Sequence, residues 1–489
     1  MKKILFFLFT FFSSNVNAQK HDFIWIAGYD GNSQITNLGL SSMDFNNNQL
    51  IVKKIENTFM DMDFTCAAIA DKTGKLALYS NGNILANSSN DTVKNGGQLF
   101  SKFSDVLTIN QGTIIIPFPE KDSLYLVLSQ AYGAIPVKPY TNIKYFKYHI
   151  IDMAKNNGKG EVTLLEANFC NYIPAWGKLT VCKHSNGKDL WLLVQEHGTN
   201  KFYRYLITKN GVGSIGTQNI GINDPFGVGT AAYSPDGAKF AIYNNIGPTL
   251  GQVLEIFDFD RCTGLLSNPT IIKYTNKGGA GVVFSSTSQF LYVGLSDEIR
   301  QYNMNATDIA KSGKTVATSD NFPTCLGGNT ADFYNGQLAP NGKIYFNCYG
   351  CSNFIHVIEN PNIEGTACNV KQHAITLPTF YYGSLCNFPN FRLGKAAQPC
   401  EMVGNEEVEK VKYEVKLYPN PAQDFITIDK GNSEVNILLI YALDGKLLSK
   451  EQLSGSITSI NTSYLKSGMY YCRLLGNEHK TPLKFTIIR

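Results

Sequence analysis

From residue 67 onward the chain repeats one pattern of apolar and polar positions: a short apolar run, a polar turn, then a second run rich in Tyr, Phe, Leu and Ile. It reads AAIADKTGKLALYSNG over Ala67–Gly82, TIIIPFPEKDSLYLVLSQ over Thr113–Gln130 and LTVCKHSNGKDLWLLVQ over Leu179–Gln195. It returns as TAAYSPDGAKFAIYNN over Thr230–Asn245, GVVFSSTSQFLYVGLS over Gly281–Ser296 and GQLAPNGKIYFNCYG over Gly336–Gly350. The turns centre on Gly74, Asp122, Gly187, Gly237, Ser288 and Gly342, at spacings of 48, 65, 50, 51 and 54 residues. A β-rich period near 50 residues predicts propeller blades. Pro-Asp-Gly and Asn-Gly close hairpins because Gly accepts positive φ, and the aromatic and branched residues fill the space between neighbouring blades. Third strands are predicted at KFYRYLIT (Lys201–Thr208), VLEIFDFD (Val253–Asp260) and FIHVIEN (Phe354–Asn360).

Six copies are clear. FIWIAGYD (Phe23–Asp30) and NFPNFRLG (Asn387–Gly394) are unpaired β-like pieces, predicted to complete a seventh blade together and so leave no exposed sheet edge. The fold class is therefore all-β: a seven-bladed β-propeller over 19–394, with a β-sandwich or solenoid as the competing architecture. The polar, Glu-rich stretch at 395–410 reads as a linker. Short strands follow over 411–489, at Val435–Tyr441, Lys446–Leu453, Met469–Leu475 and Leu483–Ile488. Pro419 and Pro421 around Asn420 bar that stretch from a central strand position. Asp444-Gly445 reads as a hairpin turn, and Gly468 as the entrance to a strand that packs closely.

Composition narrows the class. The 489 residues are 43% hydrophobic but only 17% charged, with 26 Tyr, 30 Phe and 43 Gly, which excludes global disorder and favours short strands joined by tight turns. A net charge of +4 without a Lys/Arg-dense stretch gives no nucleic-acid footprint. At the N-terminus, Lys2 and Lys3 precede an apolar run over Ile4–Phe12, and Val16-Asn17-Ala18 offers a small residue for cleavage before Gln19. The run is too short to span a bilayer, so residues 1–18 read as a removable signal peptide, with no transmembrane segment expected elsewhere. Export permits disulfides among the 11 cysteines, and the odd count leaves at least one thiol unpaired.

The strings GKLALYSNG, KHSNGKDLWLL, FDFDRCTGLLSNP, LAPNGKIYF, HVIENPNIEGTAC and NFPNFRLG, taken in order, resemble a family of secreted propellers from bacteria that use type IX secretion. The C-terminal module resembles the type IX, type A sorting domain, an Ig-like β-sandwich. That resemblance is carried by Lys416, Leu417, Tyr418, Pro419, Asn420 and Pro421, by YALDGK with Asp444 and Gly445, by SGMYYCRL with Gly468 and Tyr470, and by KFTIIR. It implies the type IX secretion machinery as a partner, passage across the outer membrane, removal of the domain, and a propeller released or anchored at the surface.

No HExxH, GxSxG, P-loop or dinucleotide motif occurs, so no catalytic residue, cofactor or metal is assigned. Cys348 and Cys351 form a CxxC without a partner pair at zinc spacing. His184 and His197 flank one hairpin and are close enough in sequence to meet. Asp61 with Asp63, and Asp258 with Asp260, alternate so that each pair shares one strand face, an arrangement open to ion binding or acid–base chemistry. The expected function is a secreted or cell-surface binding or adhesion module for an extracellular glycan or protein. Its ligand mouth is placed by repeat phase at Thr65, Gly229, Gly279 and Asn335. The alternative is a hydrolase or lyase acting on extracellular polysaccharide.

Overall fold

The structure, a computed structural model, describes residues 19–400 and 415–489, apart from 32, 34, 36, 48, 101–106, 133–142, 224–226, 246–250, 326–329, 399, 431–436, 444–445, 454 and 476–482. The expected signal peptide and the Asp444-Gly445 turn therefore lie outside the described residues. The chain divides into two compact units, 1–400 and 401–489.

In the first unit every hydrogen-bonded sheet is an antiparallel meander of strands consecutive in sequence. Ile24–Tyr29, Gly39–Asp44 and Ile51–Ile55 form one, and Ala67–Ala70, Leu76–Ser80 and Leu85–Asn87 the next. Five four-stranded sheets follow, starting at Thr113–Pro117, Val181–Lys183, Ala231–Tyr233, Val282–Phe284 and Gly336–Leu338. All six predicted turns lie between the first and second strands of a sheet. The predicted third strands are also present, at Lys201–Thr208, Gln252–Phe259 and Cys351–Ile358.

Inner strands such as Leu190–Gln195 and Phe290–Gly294 are buried at every position, because sheets cover both of their faces. Alternation decides which neighbour each side chain meets. Leu291 and Val293 pack with Tyr243 and Leu254 of the preceding sheet, whereas Phe290 and Tyr292 pack with Phe333 and Phe346 of the following one. Each such side chain, fully buried, contributes roughly 1.5–3 kcal/mol. The last strand, Val370–Tyr382, packs against all three strands of the first sheet, so the sheets succeed one another around a shared axis and the last touches the first.

Closure of this ring is made largely by side chains. The stretch after Tyr382 runs antiparallel beside Ile24–Tyr29, where Ser384 Oγ accepts from Gly28 N–H (3.2 Å) and Cys386 Sγ lies 3.3 Å from Ile26 N. Phe388 stacks on Trp25, and Arg392 holds Asp22 through two hydrogen bonds of 2.6 and 2.7 Å. The two pieces expected to complete a blade thus do come together, but without a backbone ladder. In the stretch expected to be a linker, 395–410, Ala396 N–H donates to Ser185 O and Cys400 is bridged to Cys262, while 401–410 lie outside the described residues. Residues up to Cys400 are fastened to the first unit.

The second disulfide joins Cys325 to Cys351, which separates the residues of the CxxC: Cys351 is bridged and Cys348 is a buried thiol. Seven cysteines are free, six of them in the first unit. A thiol titration of the unfolded, unreduced chain is expected to count seven; a count of three or fewer would contradict this pairing.

The second unit forms two sheets. One has the order Lys416–Tyr418, Phe425–Asp429, Ile457–Asn461, and the other Leu447–Gln452, Ile437–Tyr441, Gly468–Leu475, Leu483–Ile487. Ile426, Ile428, Leu438, Ile440, Cys472 and Phe485 share its core, and burial pushes the Cys472 thiol up to about 12. Lys416–Tyr418 is an edge strand, as the prolines require. Asn420 bridges to the neighbouring strand, its Nδ2 donating to Lys484 O and its Oδ1 accepting from Thr486 N–H. Gly468 opens its strand, but a Cβ there would meet nothing nearer than 3.9 Å, so close packing is not what it provides. Tyr470 stacks on Phe485 and donates to Lys466 O.

Candidate functional site

The ring has two ends: an upper end where the first strand of each of the six later sheets begins and where Ile24–Tyr29 of the first sheet ends, and a lower end at the turns that follow. Side chains reaching across the axis close the passage between them. Gln111 bonds both the N–H and the carbonyl of Ala231, and Asn110 Nδ2 donates to Tyr334 Oη at 2.6 Å.

Below this closure lies a cavity of about 470 Å³, lined by Gln111, Tyr233, Ser288, Asn387 and the Asp22–Arg392 pair. In its wall the buried Asp22 carboxylate is engaged twice by Arg392, while Asp236 accepts from Ser234 Oγ and Ala238 N–H. Asn390 ties the closing segment to Pro235 O across the same space.

Above it the sequence has assembled rings and carboxylates. Met60 and Met62 are fully buried, so the extended chain between them turns Asp61 and Asp63 outward, as their alternation predicts. Phe64 then packs at 5.5–5.7 Å from Tyr334, Tyr349 and Tyr382, and Tyr382 packs at 5.7 Å from Tyr29. Asp332, whose Oδ1 accepts from Tyr349 N–H at 2.6 Å, adds a third carboxylate. Tyr349 is 51% exposed. Among the described residues no Lys or Arg is ion-paired with Asp61, Asp63 or Asp332.

Burial raises the pKa of all three. For Asp63, burial outweighs its bond from Phe64 N–H, the Asp61 charge adds to the rise, and the value reaches about 6. The folded protein therefore binds the Asp63 proton more tightly than the unfolded chain, where 3.8 is ordinary. Stability is expected to fall as pH rises from about 4 to about 6 on this account. Asp63→Asn should flatten that decline in denaturant midpoints measured across the window; an unchanged slope would refute it.

The four residues placed at a ligand mouth from repeat phase do sit at this end, but all are buried. Thr65 is 0% exposed, its hydroxyl donating to Ile109 O and accepting from Ile109 N–H. A Cβ on Gly229 would lie 1.8 Å from Tyr243 O, and one on Gly279 2.0 Å from Gly294 O, so both glycines let one backbone cross another. Asn335 is 7% exposed, with Oδ1 unpartnered. Of the residues just before these positions, Phe64 and Tyr334 belong to the ring cluster, and Tyr334 is itself buried.

The other candidates are accounted for structurally. Asp258 pairs with Lys239 and Asn268; burial raises its pKa, but the Asn268 and Lys239 contacts together outweigh that and lower it. Asp260 caps the turn at Cys262 and Thr263. His184 and His197 do not meet: one lies at the turn beside Cys262 O, the other beyond the far end of Leu190–Gln195. A cluster that sequence spacing did not reveal joins Cys348 Sγ to His356 Nε2 at 3.3 Å, with His373 beside it and Asp320 beyond. Burial pushes the thiol up to about 11 and the His356 imidazole down to about 4, so the pair is a neutral thiol and imidazole and no activated nucleophile.

The structure thus defines an all-β chain with a ring of sheets in its first unit and a small C-terminal β unit. Residues 416–488 match the secretion system C-terminal sorting domain family. That domain marks export by type IX secretion to the cell surface or extracellular space, and no helix among the described residues is long and apolar enough to cross a membrane. No curated protein matches the chain. Solved structures similar to it include a Lactobacillus plantarum protein (12% identity, 73% of this chain and 98% of that one, TM-score 0.44). PorZ, a surface component of the type IX secretion system of Porphyromonas gingivalis, aligns at 11% identity over 92% of this chain and 63% of its own, with a TM-score of 0.35. A periplasmic gluconolactonase of Pseudomonas aeruginosa aligns at 10% identity over 89% and 98%, with a TM-score of 0.36.

Proposed function

We propose that the chain is a secreted seven-bladed β-propeller with an Ig-like sorting domain, and that the propeller is a binding or adhesion module working through its upper mouth. Seven meandering sheets among the described residues, with the 384–394 segment lying along the first, support the blade count. The sorting domain, proposed to span 411–489, presents Lys416–Pro421, Gly468 and Tyr470 to the secretion machinery, and its removal leaves the propeller outside the cell. One observation carries the binding role: partly exposed aromatic rings and three carboxylates that have no cationic partner among the described residues lie together at the mouth, whereas Asp22 in the lower cavity is held by Arg392.

The raised Asp63 gives the hydrolase reading its one specific support, since a carboxyl lifted to about 6 can serve as a general acid in mildly acidic solution. A thermal-shift screen of the purified chain against glycans and peptides tests binding, because a ligand at 100-fold over its Kd adds about 2.7 kcal/mol to native stability. Shifts that vanish in Tyr349→Ala support the mouth. Shifts that persist in Tyr349→Ala but vanish when the lower cavity is filled by Ser288→Trp would move the site to the other end. Polymer turnover abolished by Asp63→Asn would replace the binding reading with the enzymatic one.

A further inference from the structure

The proposed mouth has a chemical bias that names a ligand class. Asp61, Asp63 and Asp332 are acceptors, as are the unpartnered buried atoms at this end, Oδ1 of Asn110 and Oδ1 of Asn335. Asn110 is 2% exposed, and its amide is held at the Tyr334 hydroxyl, directly beneath the ring cluster. Its Oδ1 is itself buried and lies beneath the floor of the mouth. The walls are the rings of Tyr29, Phe64, Tyr349 and Tyr382, whose faces carry negative potential. Acceptors below and π faces around them favour a group that carries positive charge and donates several hydrogen bonds.

A divalent metal ion fits less well. Asp61 Oδ1 already accepts from Asp30 N–H and Asp63 Oδ1 from Phe64 N–H, which leaves one free oxygen on each. Among the described residues no group of three or more His, Cys, Asp or Glu has metal-binding geometry. Aromatic faces supply no oxygen ligands of the kind hard cations require. The Gln111 and Asn110–Tyr334 crossings also stop the mouth from threading a polymer, so it accepts an end group or side group.

Resting on the binding reading above, we propose that the upper mouth recognises a primary ammonium group, held beside the tyrosine rings with its N–H bonds directed at the free oxygens of Asp61 and Asp63. Such a group occurs on a lysine-type side chain and on an amino sugar, and two probes separate these sources.

The test is calorimetric titration of the full purified chain with n-butylammonium and with glucosamine, using n-butanol and glucose as neutral counterparts. The ammonium probes are expected to bind, the neutral counterparts at least ten-fold more weakly, and Asp61→Asn/Asp63→Asn to lose at least ten-fold in ammonium affinity. Tighter butylammonium indicates the side-chain source, and tighter glucosamine the amino sugar. The Asn substitutions keep the Oδ1 acceptors for Asp30 and Phe64 N–H, so a melting midpoint that does not fall confirms that the variant is folded. Tyr349→Ala, which removes a half-exposed ring of the wall, provides a second reading of the same loss. Glucose binding as tightly as glucosamine, with loss in Tyr349→Ala, would overturn the ammonium assignment and leave the mouth standing. Calcium binding abolished by the double substitution would overturn it in favour of a metal. Absence of binding by every probe would overturn the assignment, and the screen described above then decides the mouth separately.

Discussion

Arg392→Ala is expected to lower the stability of the first unit by about 3–5 kcal/mol, the cost of leaving a buried carboxylate without its partner. Asp22 is 2% exposed, and both of its oxygens are held by Arg392 across 370 residues of sequence. The pair fastens the closing segment to the start of the first sheet, where few backbone bonds do so. An exposed pair supplies the contrast. Lys72 and Asp122 lie 3.5 Å apart with side chains 66% and 92% exposed, and Lys72→Ala should cost between about 0 and 1 kcal/mol. Denaturant unfolding of the two variants checks the difference. Equal midpoints would mean that the closing segment contributes nothing to holding the ring shut.

Gly279→Ala is expected to cost more than about 3 kcal/mol and to deplete soluble protein. Gly279 has φ +77°, and its Cβ would stand 2.0 Å from the Gly294 carbonyl oxygen and 2.7 Å from its carbon. Both are backbone atoms of a buried strand, which cannot move aside as a flexible side chain can. Gly342 separates the two causes. Its φ is +79°, but a Cβ there meets nothing within 4 Å, so Gly342→Ala carries only the left-handed backbone cost of about 1–2 kcal/mol. Expression yield and melting midpoint of both variants test this, and similar losses would show that strand crossing is not the dominant constraint at Gly279.

Inner strands and their turns were legible because they carry two strong signals at once. Leu190–Gln195 is a continuous apolar run, and Gly187 before it marks a turn. Outer strands carry neither. Gly211–Asn219 has no buried position and three glycines, so it reads as a loop, yet Lys201–Thr208 pairs along its whole length. Val370–Tyr382 was invisible for the same reason: most of its residues are exposed or half-buried, and its role is set by contact with the first sheet, more than 300 residues away.

The mouth was half legible. Alternation in Met60-Asp61-Met62-Asp63 announced two outward carboxylates, and the structure keeps them outward. Nothing local could say that Tyr334, Tyr349 and Tyr382 would join them, because that meeting follows from the last sheet lying beside the first. Repeat phase marked where first strands begin, and those positions are selected by backbone crossing, which is why glycines occupy two of them. The sorting module was the most legible part, since its motif residues lie within one short unit and depend on few distant contacts.

The central claim is a division of labour, with the C-terminal unit carrying the address and the ring carrying the binding. Fractionation of a type IX-competent bacterium expressing the full chain, or a chain ending at residue 414, tests it most directly. The full chain should reach the surface or the medium, while the shortened chain remains folded and protease-resistant in the periplasm. A shortened chain that still reaches the surface would contradict the account.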